Sequence, residues 1–462
     1  MTNELSEAST AVGGGVAILS GVTLSGGRKL TEAGRVLPAD HPQRFDLNNE
    51  VHARPPESLV APVRISFLAL LSDTRQRERE WQGLCDLAQR FGVAPPAPGA
   101  SHYSTDFGPF RLTWERHSEF ARYKFLVAGA GEDPFAEPAI AAVPADWLAD
   151  LPGQTMVAAH VALARAGTEP ADLDGIAARL FGGNALIGAA VAGGAAVALT
   201  DFRIQADGWS RVLVADRSLT PRQAGRTVQR LLEMDTYKIM ALLALPVARE
   251  LVPFLTEHER ELAHITGAMP DADLEAEPVL LDRLTRVAAE IESRESENLY
   301  RFSAAAAYYA LVRRRIEDLR EQRIQGLQTF SEFIEQRLAP AMNTCQAVAA
   351  RQNSLSSRVA HATQLLSTRV DLTRERQNQA VLESMNRRAK LQLRLQSTVE
   401  GLSVAAVTYY VVGLVGYAAK GLHSAGVEVN PELTMGIAIP IVAGIVALGL
   451  HRIRRVVTRP FV

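Results

Sequence analysis

Residues 385–460 read MNRRAKLQLRLQSTVEGLSVAAVTYYVVGLVGYAAKGLHSAGVEVNPELTMGIAIPIVAGIVALGLHRIRRVVTRP. Two apolar runs stand out, Leu402 to Ala419 and Leu433 to Leu450. Each has about 18 residues and no charged side chain, the lower edge of what crosses a bilayer as a helix. A short polar link, Lys420 to Glu432, joins them. The expectation is an α+β membrane protein with a C-terminal helical hairpin and everything else on one side. The competing reading is a buried hairpin of a soluble protein. It is disfavoured because soluble cores rarely hold two adjacent uncharged runs of this length.

The flanks set the orientation. Arg387, Arg388, Lys390 and Arg394 precede the first run, and Arg452, Arg454, Arg455 and Arg459 follow the second. The link carries Lys420 against Glu428 and Glu432. Basic residues collect on the cytoplasmic side of short loops. Both termini are therefore expected in the cytoplasm of an inner-membrane, multi-pass protein.

Inside the runs, Ala406, Tyr409, Gly413 and Gly416 form one stripe, and Gly436, Pro440, Gly444 and Ala447 another. Small residues let membrane helices approach closely, so packing is the first reading. Ser403, Tyr410 and Tyr417, spaced by sevens, supply a pore reading. Ser403, Tyr410, Gly413, Gly416, Tyr417 and Lys420 are the candidate pore or span-packing residues. Neither run holds Asp, Glu, Lys, Arg or His, the usual marks of proton or ion coupling. That argues against an active pump. It leaves a passive channel open, since filters can be built of backbone carbonyls.

The rest of the chain is too long and too charged for a polytopic transporter: 462 residues, with a formal net charge of -2. Near neutrality argues against nucleic acid as a partner. Two distant cysteines, Cys85 and Cys345, exclude a disulfide framework or cysteine zinc cluster and suit a reducing compartment.

In chain order, residues 1–40 are rich in Gly, Ser, Thr and Ala and read as a flexible arm. Residues 41–220 read as a cytoplasmic α/β domain. Its expected strands are Val63 to Leu71, Phe110 to His117, Phe120 to Val127, Met156 to Ala164, and a hairpin of Ala195 to Gln205 with Trp209 to Ala215 around Asp207-Gly208. Its expected helices are Thr74 to Phe91, Ala139 to Leu151 and Asp172 to Leu180.

Residues 221–400 read as a helical, coiled stalk. Thr220-Pro221 is a helix start, and Gln223 to Leu262 a kinked or broken helix. Leu280 to Leu338 is expected as one long helix and Asn343 to Glu400 as another, continuing into the first span. Leu355, Val359, Ala362 and Leu366, then Leu382, Met385, Ala389 and Leu393, step as packing seams. The hairpin occupies 401–450, with spans 402–419 and 433–450, and a basic tail 451–462.

The motif NEVHARPPESLVAP, the segment TDFRIQADGWSRVLV, the run PRQAGRTVQRLLEMDTYKIMALLALPVARE and LQLRLQSTVEGLSVAAVTYYVVGL together resemble a bacterial family known only as predicted membrane-anchored proteins of unknown function. The layout also resembles CorA-type magnesium channels: a cytoplasmic domain, then a long helix running into the first of two C-terminal spans. That resemblance implies a homo-oligomer with the first span lining a pore. CorA-type channels carry Gly-Met-Asn at the outer end of that span. Here the place reads Gly416-Tyr417-Ala418-Ala419-Lys420-Gly421, and a lysine there opposes divalent cations.

For site chemistry, Glu50, His52 and Arg54 form the densest polar cluster, a candidate cytoplasmic ligand site in which Arg54 could bind a carboxylate or phosphate. The competing reading is that they tie a proline-rich loop to the sheet. His102 and His117 could meet across strands, but no metal is expected from them. Tyr308, Tyr309, Arg313, Arg314 and Arg315 read first as a helix face paired with acids. The glycines Gly182, Gly183, Gly188, Gly193 and Gly194 read as turns and close packing, since no Gly-Lys-Ser/Thr follows. With no GxSxG, HExxH or CxxC motif, neither an enzyme nor a cofactor is expected. Two functions are carried forward. One is a passive, oligomeric CorA-like ion channel. The other is a non-transporting anchored scaffold that binds partner proteins or lipid through its cytoplasmic domain.

Overall fold

The structure, a computed structural model, describes residues 57–129, 131, 133–167, 172–426, 428 and 430–457, with short pieces between 23 and 48. Those pieces include three short strands, β1 (Thr23–Leu24), β2 (Arg28–Leu30) and β3 (Val36–Leu37), paired in that order. The chain divides into two compact units. One holds residues up to Thr256 with Ser293–Asn353; the other holds Glu257–Glu292 with the chain from Ser354 onward.

The first unit is built on an eight-stranded sheet, ordered β5-β6-β7-β4-β8-β11-β10-β9. Its strands are β4 (Val63–Leu71), β5 (His102–Asp106), β6 (Arg111–Arg116), β7 (Phe120–Ala128), β8 (Gln154–Arg165), β9 (Ile187–Val191), β10 (Ala196–Thr200) and β11 (Ser210–Asp216). All neighbours are antiparallel except β8 and β11, which are parallel. β4 is the apolar strand the sequence announces. It lies between β7 and β8 and is buried along nearly its whole length, as expected of a strand covered on both faces.

Alternation on β6 sorts two faces. Leu112 and Trp114 are fully buried in a cluster with Leu84, Leu87 and Tyr123. Arg111, Thr113 and Glu115 point the other way. Helix α1 (Arg77–Phe91) covers the apolar face and is closed by Gly92 at φ 68. It starts later than expected because Asp73 accepts the N–H groups of Arg75 and Gln76 at 2.8 and 3.1 Å, a turn that holds the chain out of the helix.

Several expectations need correction. The helix expected over 139–151 is a 3₁₀ turn, Ala139–Ala142, and a short helix α2 (Ala145–Ala149). Pro144 divides them because it has no N–H to continue a helix. Strands β5 and β9 were not expected. β9 reads IGAAV, poor in β-branched residues, and Gly188 serves close approach: a Cβ there would stand 2.5 Å from the Ala198 carbonyl oxygen. The hairpin strand expected to reach Gln205 ends at Thr200.

Helix α3 (Leu173–Leu180) starts at an Asp172 cap. Helix α4 (Pro221–Leu242) opens with a Thr220–Gln223 capping box and Pro221 at its start, as read from sequence. Helix α5 (Ala244–Ala268) follows after a break at Leu243. The long helix expected over 280–338 is two. Helix α6 (Ala276–Leu319) stops at Arg320, φ 47. The next residues bridge to β9 at Ala190↔Gln322 and Ile187↔Gln328. A second capping box, Thr329–Glu332, then starts α7 (Phe330–Arg337). An edge strand with unpaired backbone groups takes up this segment in place of helix.

Helix α8 (Ala339–Ser424) is continuous for 86 residues, about 130 Å of helix at 1.5 Å per residue. Helix α9 (Pro431–Val457) returns. In the second unit the lower seam of α8 is buried: Leu355, Val359, Ala362 and Leu366 are at most 6% exposed. Arg369 binds the Met269 carbonyl at 2.6 Å and the Glu277 carboxylate at 2.5 Å. From Arg374 to Val399 every residue is exposed, so the seam of Leu382, Met385, Ala389 and Leu393 is left uncovered by the described residues of its own chain.

Candidate functional site

Among the described residues, three segments are long and apolar enough to cross a membrane by length and composition: Pro221–Ala268, Phe330–Ser424 and Pro431–Arg452. The first was not anticipated. It is broken at Leu243, and it carries Glu233, whose carboxylate pairs with Arg122 on β7 and Arg315 on α6. Its first half, Pro221–Leu242, packs against β8, which accounts for part of its apolar character. The other two differ. In α9 only 6% of the apolar window is buried, and Leu402, Tyr410, Leu433, Ile441 and Leu448 are more than half exposed. Apolar helices uncovered on every side suit a hydrocarbon surrounding.

The hairpin closes tightly. Ser424 donates to the Lys420 carbonyl at 2.6 Å. Gly426 turns at φ 95. Asn430 caps α9 by accepting the N–H groups of Glu432 and Leu433. Between the two helices, Val412, Gly416 and Ala419 form the buried edge of α8. A Cβ at Gly416 would stand 2.4 Å from the Met435 sulfur, so Gly416 is a span-packing residue. A Cβ added at Gly413, Gly436 or Gly444 would have nothing within 4 Å, so these three positions face open space.

Tyr410, Gly413, Gly416, Tyr417 and Lys420 line one groove of about 780 Å³ along the hairpin. Ser403 does not join them; its hydroxyl donates to Val399 on its own helix. In the bare stalk Leu382, Met385, Ala389 and Leu393 step by three, four and four, a short apolar seam. The next heptad positions in line with it, Gln392 and Gln396, are polar, so the seam stops short of the span.

The second constellation lies on the sheet. Glu50, His52 and Arg54 are outside the described residues, but the motif's end is seen. Glu57 sits against α4, where a Cβ on Gly225 would stand 1.6 Å from the Glu57 carbonyl oxygen. The Leu59 N–H donates to the Pro221 carbonyl at 2.9 Å. Two of the four sequence motifs thus meet through a glycine.

A polar cavity of about 410 Å³ opens beside them, lined by Glu57, Thr113, Glu115, Arg122 and Lys124 among others. The Glu57 carboxylate takes Lys124 at 2.7 Å and Arg111 at 2.9 Å. Arg122 bridges Glu115, its cross-strand partner, and Glu233 on α4. Burial opposes the charge on both Glu115 and Arg122. Their mutual attraction prevails, holding the carboxyl below its usual range and the guanidinium above its own. Cations and carboxylates here satisfy one another, so the network ties β6, β7, α4 and α6 together.

His117 stacks on Phe120 at 4.4 Å. Among the described residues no cluster of three His, Cys, Asp or Glu side chains could hold a metal. Tyr308 stacks on Tyr237, and Arg315 pairs with Glu233 and Asp318. That part of the 308–315 run is therefore structural.

One family model runs along residues 39–457, taking in the sheet, the helices and the hairpin. The chain belongs to DUF3422, a family described as a protein of unknown function. No curated protein and no solved structure matches it. DUF3422 membership accounts for the four motifs as one unit and brings no activity with it.

Proposed function

We propose that this protein is an inner-membrane homo-oligomer, both termini cytoplasmic, in which copies of the first span surround an axis as a passive ion pathway in a CorA-like layout. The carrying observation is the apolar step of Leu382, Met385, Ala389 and Leu393, exposed in one chain on a helix that runs on into the first span. Such a seam needs equivalent helices alongside it. Packing about it would bring Ser403, Tyr410 and Tyr417 to the axis and ring the outer mouth with Lys420. A lysine ring repels divalent cations and favours anions, so chloride is the first permeant to test. The test is the mass of the purified protein in detergent, together with chloride and potassium flux in proteoliposomes. A monomer whose vesicles stay tight to both ions overturns the reading.

A second reading is a non-transporting anchored scaffold. The bulk of Tyr410 and Tyr417 favours it, since their rings would plug a narrow axis. An oligomer that leaves vesicles tight selects the scaffold.

A further inference from the structure

Beside the N-terminal half of α4, the end of α6 and the β9–β10 turn border a small open cavity of about 340 Å³, with Arg226 and Arg320 exposed at its rim. Three arginines line it: Arg226 and Arg230 from α4 and Arg320 just past α6. Among the described residues the side chains of Arg226 and Arg320 make no hydrogen bond or ion pair. Arg230 comes no closer than 3.9 Å to a carboxylate, that of Asp318, which is held better by Arg315 at 3.2 Å.

The protein invests stability in this arrangement. Arg222, Arg226 and Arg230 repeat every fourth residue on α4, and like charges at that spacing destabilise a helix. Burial, then the neighbouring Arg226, Arg315 and Arg320, depress the basicity of Arg230 despite Asp318. Arg320 occupies the left-handed region at φ 47, the position after a helix where glycine is the usual residue. Across from it Ala192 is also left-handed, at φ 54, and donates its N–H to the Leu319 carbonyl at 2.8 Å. Strained backbone of this kind gathers at ligand sites.

Thr227, on the same helix as Arg226 and Arg230, also lines the cavity.

We infer that this cavity is a binding site for a phosphate-bearing dianion: inorganic phosphate, or the phosphate monoester of a metabolite or lipid headgroup. Guanidinium forks match phosphate oxygens two at a time, and the Thr227 hydroxyl supplies a further donor. The wall also carries Glu317 and Asp318. Arg315 is shared between Asp318 and Glu233, and Asp318 also faces Arg230 at 3.9 Å, so the two carboxylates offset part of the charge of the three arginines. The net positive charge that remains suits one phosphate group and disfavours a long polyanion. This inference does not depend on whether the spans conduct.

The test uses the full chain in detergent. Sodium phosphate is titrated by calorimetry and by thermal shift, with sodium chloride at matched ionic strength as control. Saturable phosphate binding is expected, weakened about 10-fold or more in Arg226→Gln and Arg230→Gln, the loss anticipated for a charge-assisted contact. Removing like charges should leave the melting temperature of the phosphate-free variants unchanged or raised. Short-chain phosphatidic acid, titrated in parallel, separates the sources. Tighter binding than phosphate assigns the site to a lipid headgroup, and equal or weaker binding assigns it to a soluble phosphate. The inference is overturned if chloride reproduces the phosphate effect, if the variants bind as the native chain does, or if they lose stability without phosphate, which would make the arginines structural.

Discussion

Replacing Gly225 by alanine pits two physical rules against each other. Gly225 lies inside α4, where alanine is favoured over glycine by about 1 kcal/mol. In an exposed helix the change would stabilise. Here the added methyl would stand 1.6 Å from the Glu57 carbonyl oxygen and 2.8 Å from its carbon. Those are backbone atoms, held by the Leu59 to Pro221 hydrogen bond, and no rotamer change relieves the contact. Either α4 or the segment at Glu57 must shift, and overpacking of this kind costs about 1–3 kcal/mol. Displacing Glu57 also releases Lys124 and Arg111 from their carboxylate, leaving two cations beside Arg122. The expected net is a destabilisation of about 2 kcal/mol or more, several degrees in Tm. The assay is thermal and urea unfolding of the detergent-solubilised chain, followed by circular dichroism. A variant as stable as the native protein, or more so, would refute the docking of the proline-rich motif on α4.

Three further outcomes follow from single sites. His160, stacked on Trp209 at 4.1 Å, has its pKa lowered from 6.5 to about 4, chiefly by burial. The unfolded chain takes up a proton near pH 6.5 that the folded chain refuses. Stability is therefore present above pH 6.5 and lost as the pH falls to 4, by at most about 3 kcal/mol; denaturant midpoints measured across that range should fall, and should flatten in His160→Asn. Gly416→Val should lower stability in detergent by about 1–3 kcal/mol through Met435, while Gly413→Val, with open space around it, should leave the folded chain intact and change only its oligomeric mass. Leu382→Ser with Met385→Ser, at positions 64% and 59% exposed, should leave unfolding midpoints in place and weaken self-association in sedimentation; unchanged mass would show that the stalk seam joins no partner.

What the sequence displayed plainly was local chemistry. β4 could be read because both its faces are covered, making its nine residues almost uninterruptedly apolar. The start of α4 could be read because Thr220, Pro221 and Gln223 cap a helix by themselves. The hairpin could be read because lipid requires uncharged length. The missed features depend on distant pieces of chain. β9 is a strand only because β10 and the 320–329 segment flank it, and Ile-Gly-Ala-Ala-Val has little strand preference of its own. The break after α6 owes more to that pairing than to any strong breaker, since Arg320 is not a helix-stopping residue by type. The cavity arginines were invisible for the same reason: Arg226 and Arg320 are 94 positions apart and converge only once α6 crosses α4. A four-residue repeat of arginine from 222 to 230 was the one signal available, and an exposed helix face would have explained it equally well.

The two seams of α8 separate what the chain does for itself from what it requires of a partner. Leu355 and Leu382 are 27 residues apart, about 7.5 turns at 3.6 residues per turn, so they fall on opposite sides of a straight helix. The lower seam is fully used, its residues buried in their own unit. Had the upper seam continued in the same direction, its exposure would be explained as a fraying end of the same packing. Facing the other way, it cannot be covered by extending the helices that cover Leu355. The polar stretch from Arg374 to Gln379 lies between the two seams, where the change of face takes place. Leu382, Met385, Ala389 and Leu393 then stand exposed on the side that the chain's own helices leave bare, and that is the surface which the proposed packing of stalk against stalk would cover.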